Sequence, residues 1–328
     1  MNGTCQRVLS LLVGVALLWV AQGNARAQST ALNYGSFGPQ SLAALAATES
    51  VDEDEGWLPD GFISGLRGGF ESFPRPIGSP LYFEDPFINT DLRPLLLHHE
   101  FPRDSLLGGG DLTVQAVQAR LALTDRLQFI ATQDGHADLE ADALPAGEGY
   151  NDLAAGLKYA FYVDHDEMAI ASIGARWTLS NGSREVFKGT EDEISVFVTG
   201  AKKYGKLHVI ADVVGRITTH HGHGNDSLSW DINCSYELFD GFFPLVEYHG
   251  FLYLSNGDRL AVRDGLLDYG NLGAGDVRGS SANWATIGFR WQFKEGVSWG
   301  VGQGVGLNRN SNNDIFRSRF TTNLVFTF

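Results

Sequence analysis

Apolar and polar residues alternate with a period of two from about residue 91 to residue 328. The clearest case is the run 152–163, in which apolar residues from Leu153 to Val163 share one face and Asp152, Gly156 and Lys158 share the other. Alternation of this kind is typical of strands with one apolar and one polar face. Twelve runs show it: about 92–101, 111–123, 127–136, 151–163, 168–179, 193–204, 207–218, 228–239, 244–254, 283–294, 297–307 and 316–328.

The lengths of these runs and of their connections predict a membrane barrel. Most runs have ten to thirteen residues, and a tilted strand needs about 9–11 residues to cross a bilayer. Tight turns alternate with longer loops, which is typical of bacterial outer-membrane barrels. We therefore expect an all-β fold, a transmembrane antiparallel up-and-down β-barrel of about 12 strands over residues 91–328; roughly ten to fourteen strands would also fit, since boundaries read from sequence carry errors. The tight turns are 124–126, 164–167, 205–206, 240–243 and 295–296, and the longer loops are 102–110, 137–150, 180–192, 219–227, 255–282 and 308–315.

The last eight residues, TTNLVFTF, continue the alternation to the final residue. In a closed barrel the last strand pairs with the first and has no free edge, so its outward aromatic side chains can face lipid. The ending resembles the assembly signal of outer-membrane proteins, in which a final strand of alternating apolar residues closes on a terminal Phe. We expect Phe320, Leu324, Phe326 and Phe328 to form such a signal for the barrel-assembly machinery.

Residues 1–27 have the organisation of a secretory signal peptide. Arg7 precedes the apolar run VLSLLVGVALLWVA, and Ala25-Arg26-Ala27 is a small-residue cleavage site. The run is short for a membrane span of about 20 residues, although a signal anchor is an alternative. We expect export through a translocon to the bacterial outer membrane, with the tight turns and both termini periplasmic and the long loops extracellular.

Residues 28–90 do not follow the strand pattern. They contain the acidic run Glu49–Glu55, followed by a stretch rich in Gly, Pro and Phe. One hypothesis is a plug or lid that folds inside or under the barrel. The alternative is a periplasmic extension that covers the mouth of the barrel without gating it. The many aromatic residues indicate that the segment has some order.

The composition narrows the range of partners. Removal of residues 1–27 takes away Arg7 and Arg26 and no acidic residue, so the formal net charge changes from −15 to −17. This charge argues against nucleic acid, which is bound by clustered Lys and Arg. Cys234 is the only cysteine after residue 27, so an intramolecular disulfide is excluded.

Charged residues fall on the face of the strands that we expect to line the lumen. In a barrel of this size they can either pair with one another and fill the lumen or line a narrow selective pore. Arg317 and Arg319 lie two residues apart on the last strand and are a candidate pair for contact with an anion or carboxylate. The candidate inward residues are Arg120, Lys158, Arg176, Arg216, Arg290, Arg317, Arg319, Asp212, Asp231, Glu237, Glu247 and His249.

Metal binding and hydrolysis are two further functions on which the sequence bears. His220, His221 and His223 with Asp226 lie in a predicted external loop and could bind Zn, Cu or Ni, although an exposed Gly-rich loop also carries histidines for solubility alone. The outer-membrane phospholipase is a barrel with Ser and His two residues apart, whereas His249 and Ser255 are six apart here. Hydrolase and phosphate-loop motifs are also missing from the sequence. We expect no enzymatic activity and no cofactor.

The stretch GYNDLAAGLKYAF at 149–161 resembles a recurring strand motif in a family of outer-membrane proteins associated with the meta-pathway of phenol degradation. The shared positions are Gly149, Asp152, Gly156, Lys158 and Tyr159, and LTDRLQFIATQDG at 123–135 is similar to the preceding hairpin. The resemblance covers residues 92–328. It implies a channel or transporter for small organic compounds, with hydrophobic and aromatic ones as candidate substrates.

The leading hypothesis is therefore passive or gated passage of small solutes across the outer membrane. Diffusion through a narrow polar lumen would be selected by its charged side chains. The alternative is a structural or adhesive surface protein, whose barrel is sealed and whose long loops bind partners.

Overall fold

The computed structural model describes residues 70–132, 135–220, 222–307 and 315–328. The expected signal peptide 1–27, residues 28–69 of the segment that follows it, and His221 lie outside the described residues. The first described residues, 70–90, run without helix or strand up to the first strand. We call residues 70–90 the inner segment, for reasons that its contacts make clear below.

Fourteen strand segments form one antiparallel sheet in the described part of the chain. The first segment pairs with both the second and the last, so the sheet closes on itself. In chain order they are β1 (Asp91–Glu100), β2 (Gly110–Ala122), β3 (Leu127–Ala131), β4 (His136–Ala141), β5 (Gly147–Tyr150), β6 (Ala154–Asp164), β7 (Ala169–Thr178), β8 (Glu193–Tyr204), β9 (Leu207–Thr218), β10 (Ser227–Tyr236), β11 (Phe242–Tyr253), β12 (Ser281–Lys294), β13 (Val297–Gly306) and β14 (Ser318–Thr327).

Four of the segments belong to two interrupted barrel strands. Both β3 and β4 pair with β2, so they are consecutive parts of one strand. The next strand is likewise formed by β5, which pairs with β4, and β6, which pairs with β3. The described residues therefore form a closed antiparallel barrel of twelve strands, which confirms the predicted architecture.

The predicted long loop 137–150 is wrong in part, because most of it is strand. Ala137, Leu139 and Ala141 alternate as buried residues along β4, and Pro145 lies in the turn to β5. The signal was present in HADLEA, but its small apolar residues alternate with acidic ones and produce a weak apolar face. The predicted turn 240–243 also ends early: β11 begins at Phe242, and the Phe243 side chain is buried against His208, with ring centroids 5.4 Å apart.

The two faces of the barrel have opposite polarity to those of a soluble protein. The outer face exposes apolar side chains, among them Ile287 at 68% and Trp177 at 52% of their full accessible area. Phe320 and Phe328 of the last strand are exposed as well. The inner face buries Arg, Lys, Asp, Glu and His side chains at 0–3% exposure, including Lys158, Glu247 and Arg290. An outer surface of this kind is adapted to lipid.

Helical structure is confined to one short 3-10 helix, Arg184–Val186, in the described residues. None of the helices described is long and apolar enough to cross a membrane.

Candidate functional site in the barrel lumen

The inner segment enters the barrel from the tight-turn end and returns to it. Phe73 near its start contacts the ring of His208, close to the turn at 205–206, at 5.0 Å between ring centroids. Farther along, Ser79 Oγ donates to Asp268 of the loop 254–280 at 3.4 Å, and that loop connects strands at the opposite end. The chain then returns to Asp91, which pairs with Thr327 at the tight-turn end. The segment therefore forms a loop inside the lumen.

Side chains of the barrel wall satisfy the backbone of the inner segment, which has no regular hydrogen bonding of its own. Gln118 Nε2 donates to Pro80 O at 2.6 Å and Thr199 Oγ1 donates to Glu84 O at 2.7 Å. Ser172 Oγ donates to Pro86 O at 2.6 Å. Because an unpaired buried backbone group is costly, these wall residues fix the path of the segment.

A row of glycines on β13 provides the space that the segment needs. A Cβ on Gly300 would lie 2.9 Å from Ile77 Cδ1, and one on Gly302 would lie 3.2 Å from Ile77 Cγ2. Gly78 is equally restricted, because its Cβ would lie 2.3 Å from Thr286 Oγ1 and 2.6 Å from Glu247 Oε2. The alternating glycines of SWGVGQGVG thus form a flat stretch of wall against which Ile77 packs.

Glu84 is held by two cations of the wall. Arg120 contacts both of its carboxylate oxygens, with Nε 2.9 Å from Oε1 and Nη2 2.9 Å from Oε2. Lys158 Nζ donates to Glu84 Oε1 at 3.0 Å. The side chains of all three residues are nearly or fully buried, which makes these charge-assisted contacts strong.

Asp85 interacts with the neighbouring cations. Its Oδ1 accepts from Arg75 Nη1 of the inner segment at 2.6 Å, and its Oδ2 accepts from Arg93 Nη2 of β1 at 3.2 Å. Lys158 Nζ lies 3.6 Å from Oδ1. Glu84 and Asp85 together therefore neutralise a cluster of cations contributed by β1, β2 and β6.

The roughly opposite side of the wall is acidic, and there the inner segment presents backbone N–H groups. Glu247 on β11 accepts from Ile77 N at 2.9 Å and from Gly78 N at 2.5 Å. Asp212 on β9 accepts from Glu84 N at 2.9 Å. The lumen is thus polarised across its width, with cations mainly on β1, β2, β6 and β7 and carboxylates on β9 to β11. The exceptions to this division are Asp91, Glu193, Arg216, Arg290 and Arg319.

His249 lies in the acidic half. Its Nδ1 is 2.5 Å from Asp231 Oδ1, and its Nε2 is 3.4 Å from Glu247 Oε2 and 3.2 Å from Thr286 Oγ1. Asp231 is the cross-strand neighbour of Asp212. Ser255, weighed above as a partner of His249, instead accepts from Asp226 N at 2.8 Å.

The loop 254–280 folds back into the other end of the lumen. Asp268 receives both terminal nitrogens of Arg319, at 2.6 Å and 2.8 Å. Burial would raise the pKa of Asp268, but the Arg319 guanidinium more than offsets it and holds this pKa below the usual value. Arg216 Nη1 donates to Leu267 O at 3.0 Å, and Arg216 Nη2 donates to Glu193 Oε1 at 3.0 Å.

The loop between β7 and β8 packs against loop 254–280. Lys188, in the loop between β7 and β8, donates to Tyr269 O, and its Nζ lies 4.1 Å from the centroid of the Tyr269 ring. Burial lowers the pKa of Lys188 to about 8. The attachment of loop 254–280 therefore includes a buried amine that titrates close to physiological pH.

The structure brings together most of the candidate inward residues. Arg317 is different: it precedes β14, its side chain is 62% exposed, and its Nε lies 3.7 Å from Glu100 Oε2, so it does not share the position of Arg319. Glu237 lies after β10 at the tight-turn end, 4.0 Å from Lys203. The candidates that are buried in the lumen are Arg120, Lys158, Arg176, Arg216, Arg290, Arg319, Asp212, Asp231, Glu247 and His249.

The histidine loop has no metal-binding geometry in the part of the chain that is described. His220 Nδ1 lies 2.7 Å from Glu191 Oε1, and His223 Nδ1 lies 3.8 Å from Glu191 Oε2. The two imidazole rings are stacked, with centroids 6.0 Å apart. No group of three His, Cys, Asp or Glu residues among those described is placed to hold a metal ion.

Sequence reasoning missed the lumen residues that do not lie in clearly patterned strands. Glu84, Asp85 and Arg75 come from the inner segment, and Asp268 comes from a long loop. A usable signal was the sequence FEDPF, in which two acidic residues stand between aromatic residues, well after the acidic run 49–55. Arg93 alternates correctly in β1 but was not counted among the inward cations.

Comparison with known proteins agrees with this geometry. No family model matches the chain, and no curated protein matches it significantly. Among solved structures, the COG4313 outer membrane channel from Pseudomonas putida F1 is similar at 13% identity with a TM-score of 0.55, covering 76% of this chain and 100% of that one. The chain has the fold of bacterial outer-membrane β-barrels. Lower TM-scores are found for two porins. The NanC porin has a TM-score of 0.44 at 9% identity, covering 73% of this chain and 100% of that one. The KdgM porin in complex with disordered oligogalacturonate has a TM-score of 0.38 at 9% identity, covering 73% of this chain and 98% of that one.

Proposed function

We propose that the protein is an outer-membrane channel for small solutes and that the inner segment is its gate. The observation that carries the proposal is the polar lumen, whose buried charges pair largely with the inner segment and not only with one another. Lys158 is the clearest case, because both acids that contact it, Glu84 and Asp85, belong to the inner segment. Withdrawal of the segment would leave a charged path from the tight-turn end of the barrel to loop 254–280, which would have to move as well for the lumen to open fully.

Stability alone does not account for such a lumen. Replacing buried ion pairs by well-packed apolar residues is often neutral or stabilising, so a barrel with a purely structural role has no need of these pairs. A channel needs a polar wall, because water and polar solutes must cross it. The similarity to an outer membrane channel at a TM-score of 0.55 supports the same function.

The resemblance to the phenol-degradation family supports small organic compounds, hydrophobic and aromatic ones included, as solutes. Outer-membrane lipid surrounds the barrel in this proposal. The exposed Phe320 and Phe328, with Leu324 and Phe326, would present the last strand to the barrel-assembly machinery after export through the translocon. Replacing Phe328 by Ala should then lower the amount of folded protein in the membrane fraction.

The second candidate function is a sealed structural or adhesive barrel. It is favoured by the filling of the lumen from both ends. The inner segment and loop 254–280 meet inside it, where Ser79 contacts Asp268. In that case the long loops would bind a partner, and changes to lumen charges would not affect transport.

Single-channel conductance of the full chain in planar bilayers separates the two functions. Gly78→Ala is the informative variant, because the new Cβ would clash with Thr286 and Glu247 and should push the inner segment out of place. Gly275→Ala is its matched control, since that Cβ would lie 3.4 Å from its nearest neighbour. We expect more frequent or larger openings for Gly78→Ala than for the wild type or the control. Silence of all three in protein that still shows a folded barrel by heat modifiability would favour the sealed barrel.

A further inference from the structure

The inner segment presents a carboxylate to the wall and, two residues before it, an aromatic ring. The Glu84 carboxylate receives Arg120 and Lys158, as described above. The Tyr82 ring lies beside two guanidinium groups, with its centroid 5.3 Å from Arg176 Cζ and 4.9 Å from Arg216 Cζ. A flat ring between two guanidinium groups is a favourable cation–π arrangement.

The four cations of these contacts are fixed in the wall. Arg120, Lys158, Arg176 and Arg216 lie on β2, β6, β7 and β9, and each is at most 3% exposed. Arg216 keeps Glu193 as a partner if the segment withdraws, and Arg120 keeps Asp91 at 3.5 Å. Lys158 would lose Glu84 and Asp85, the two acids that contact it in the structure. Withdrawal of the segment would therefore leave Lys158 without a carboxylate partner in a narrow lumen, where the carboxylate of a solute can make the same charge-assisted contact.

Arg176 has hydrogen-bond donors that neither the inner segment nor the wall uses. Its Nη1 donates to Thr132 Oγ1 at 2.6 Å, whereas its Nε and Nη2 have no hydrogen-bond partner among the described residues. Its Cζ also lies 5.9 Å from the centroid of Phe197, and Arg216 Cζ lies 5.9 Å from that of Phe251. Both rings belong to the wall and remain when Tyr82 leaves.

We propose that the lumen contains a binding site for small organic carboxylates, which Glu84 occupies as an internal ligand. The guest carboxylate is bound by Arg120 and Lys158, in the same bidentate and charge-assisted manner as that of Glu84. A planar ring on the guest takes the place of Tyr82 beside Arg176 and Arg216. The proposal rests on the function proposed above, since the solute must reach the site when the inner segment leaves it.

The test is the binding of 3-(4-hydroxyphenyl)propanoate, which carries both groups, to the full chain in detergent, measured by isothermal titration calorimetry. The neutral amide of the same acid is the matched ligand. Glu84→Gln weakens the internal competitor, and the apparent affinity of a guest rises with the fraction of open sites. We expect the dissociation constant of the acid to be lower for Glu84→Gln than for the wild type by about tenfold or more. We also expect Glu84→Gln to bind the acid in preference to the amide.

The double variant Glu84→Gln/Lys158→Gln should lose this preference for the acid. Equal binding of acid and amide to Glu84→Gln, or an unchanged preference in the double variant, would overturn the proposal.

If Glu84→Gln does not form a folded barrel, hydrogen exchange of the wild type decides: the acid, but not its amide analogue, should accelerate exchange of the backbone N–H groups of Ile77, Gly78 and Glu84. Equal exchange rates with both ligands would overturn it too. If the acid binds but the protein never conducts, the carboxylate site is supported and the channel function is excluded. If the protein conducts but shows no preference for the acid, the channel function is supported and the carboxylate site is excluded.

Discussion

Two elements fill the lumen from opposite ends, and they differ in the number of ion pairs that hold them to the wall. The inner segment is fixed by several ion pairs to the wall in addition to wall hydrogen bonds and apolar packing, and no residue of 70–90 has a positive φ. Loop 254–280 also has apolar packing and wall hydrogen bonds, but its one ion pair to a wall strand among the described residues is the bidentate pair between Asp268 and Arg319. Its consecutive residues Leu266 and Leu267 have φ values of 58° and 51°, in the left-handed region that disfavours side chains.

The difference indicates how each element can be released. A segment held by charge can be displaced by another charged group, because the wall cations are satisfied equally by a solute. Loop 254–280 offers only Asp268 for such an exchange, so it opens only as its apolar packing and its backbone hydrogen bonds are lost as well. Charge substitutions should therefore act strongly on the inner segment and more weakly on the loop.

The largest effect is expected for Asp85→Asn. This change leaves Arg75 and Arg93 without the carboxylate that contacts both. Breaking a buried ion pair by removing one partner costs about 3–5 kcal/mol. Hydrogen exchange at residues 70–90 should become faster by the corresponding factor, while exchange in the strands stays slow. Unchanged protection of the segment would show that its ion pairs do not hold it.

A smaller effect is expected for Asp268→Asn, which removes the bidentate partner of Arg319. The loop keeps its buried leucines and the bonds from Arg216 to Leu267 O and Gly270 O. We expect a loss of about 3 kcal/mol in the docking of the loop, at the lower end of the range for buried pairs. Protease sensitivity within 254–280 should increase, and sensitivity of the inner segment should not.

The pH dependence of the loop is expected to be weaker still and to have a defined sign. Burial lowers the pKa of Lys188 to about 8 from 10.5, so the folded protein binds fewer protons than the unfolded chain between these values. Stability should therefore rise with pH, by about 2.4 kcal/mol between pH 7.5 and pH 10, since each pKa unit corresponds to about 1.4 kcal/mol and this range covers only part of the titration. Thermal unfolding from pH 7.5 to 10 should show this rise in the wild type and lose it in Lys188→Met. A fall in wild-type stability relative to the variant would contradict the assignment.

The smallest effect is expected for Arg317→Gln, compared with Arg319→Gln as its partner two residues away. The ion pair of Arg317 with Glu100 is solvent-exposed, and such pairs contribute about 0–0.5 kcal/mol after screening. Denaturant or thermal unfolding should barely distinguish Arg317→Gln from the wild type, whereas Arg319→Gln should destabilise clearly. Equal effects would mean that Arg317 contributes to the lumen after all.

The alternating pattern was sufficient for the barrel because a strand pairs locally and its two faces are read directly from the sequence. It determined the twelve strands, their order, the tight turns and the apolar outer face, and it assigned residues such as Lys158, Glu247 and Arg290 to the interior. It failed where the signal was short or weak, as in the β4 segment, and at Arg317, where the strand begins two residues later than the alternation indicated.

The tertiary structure alone decided what fills the barrel. The pairing of Glu84 with Arg120 and Lys158 joins residues 36 and 74 positions apart, and the Arg319–Asp268 pair joins residues 51 positions apart. No local periodicity encodes such contacts, because they depend on a chain without secondary structure whose path is set by side chains of many strands at once. Residue by residue, the sequence determined which groups face the lumen; the closed fold decided which of them meet there, since only closure brings opposite walls within reach of one chain.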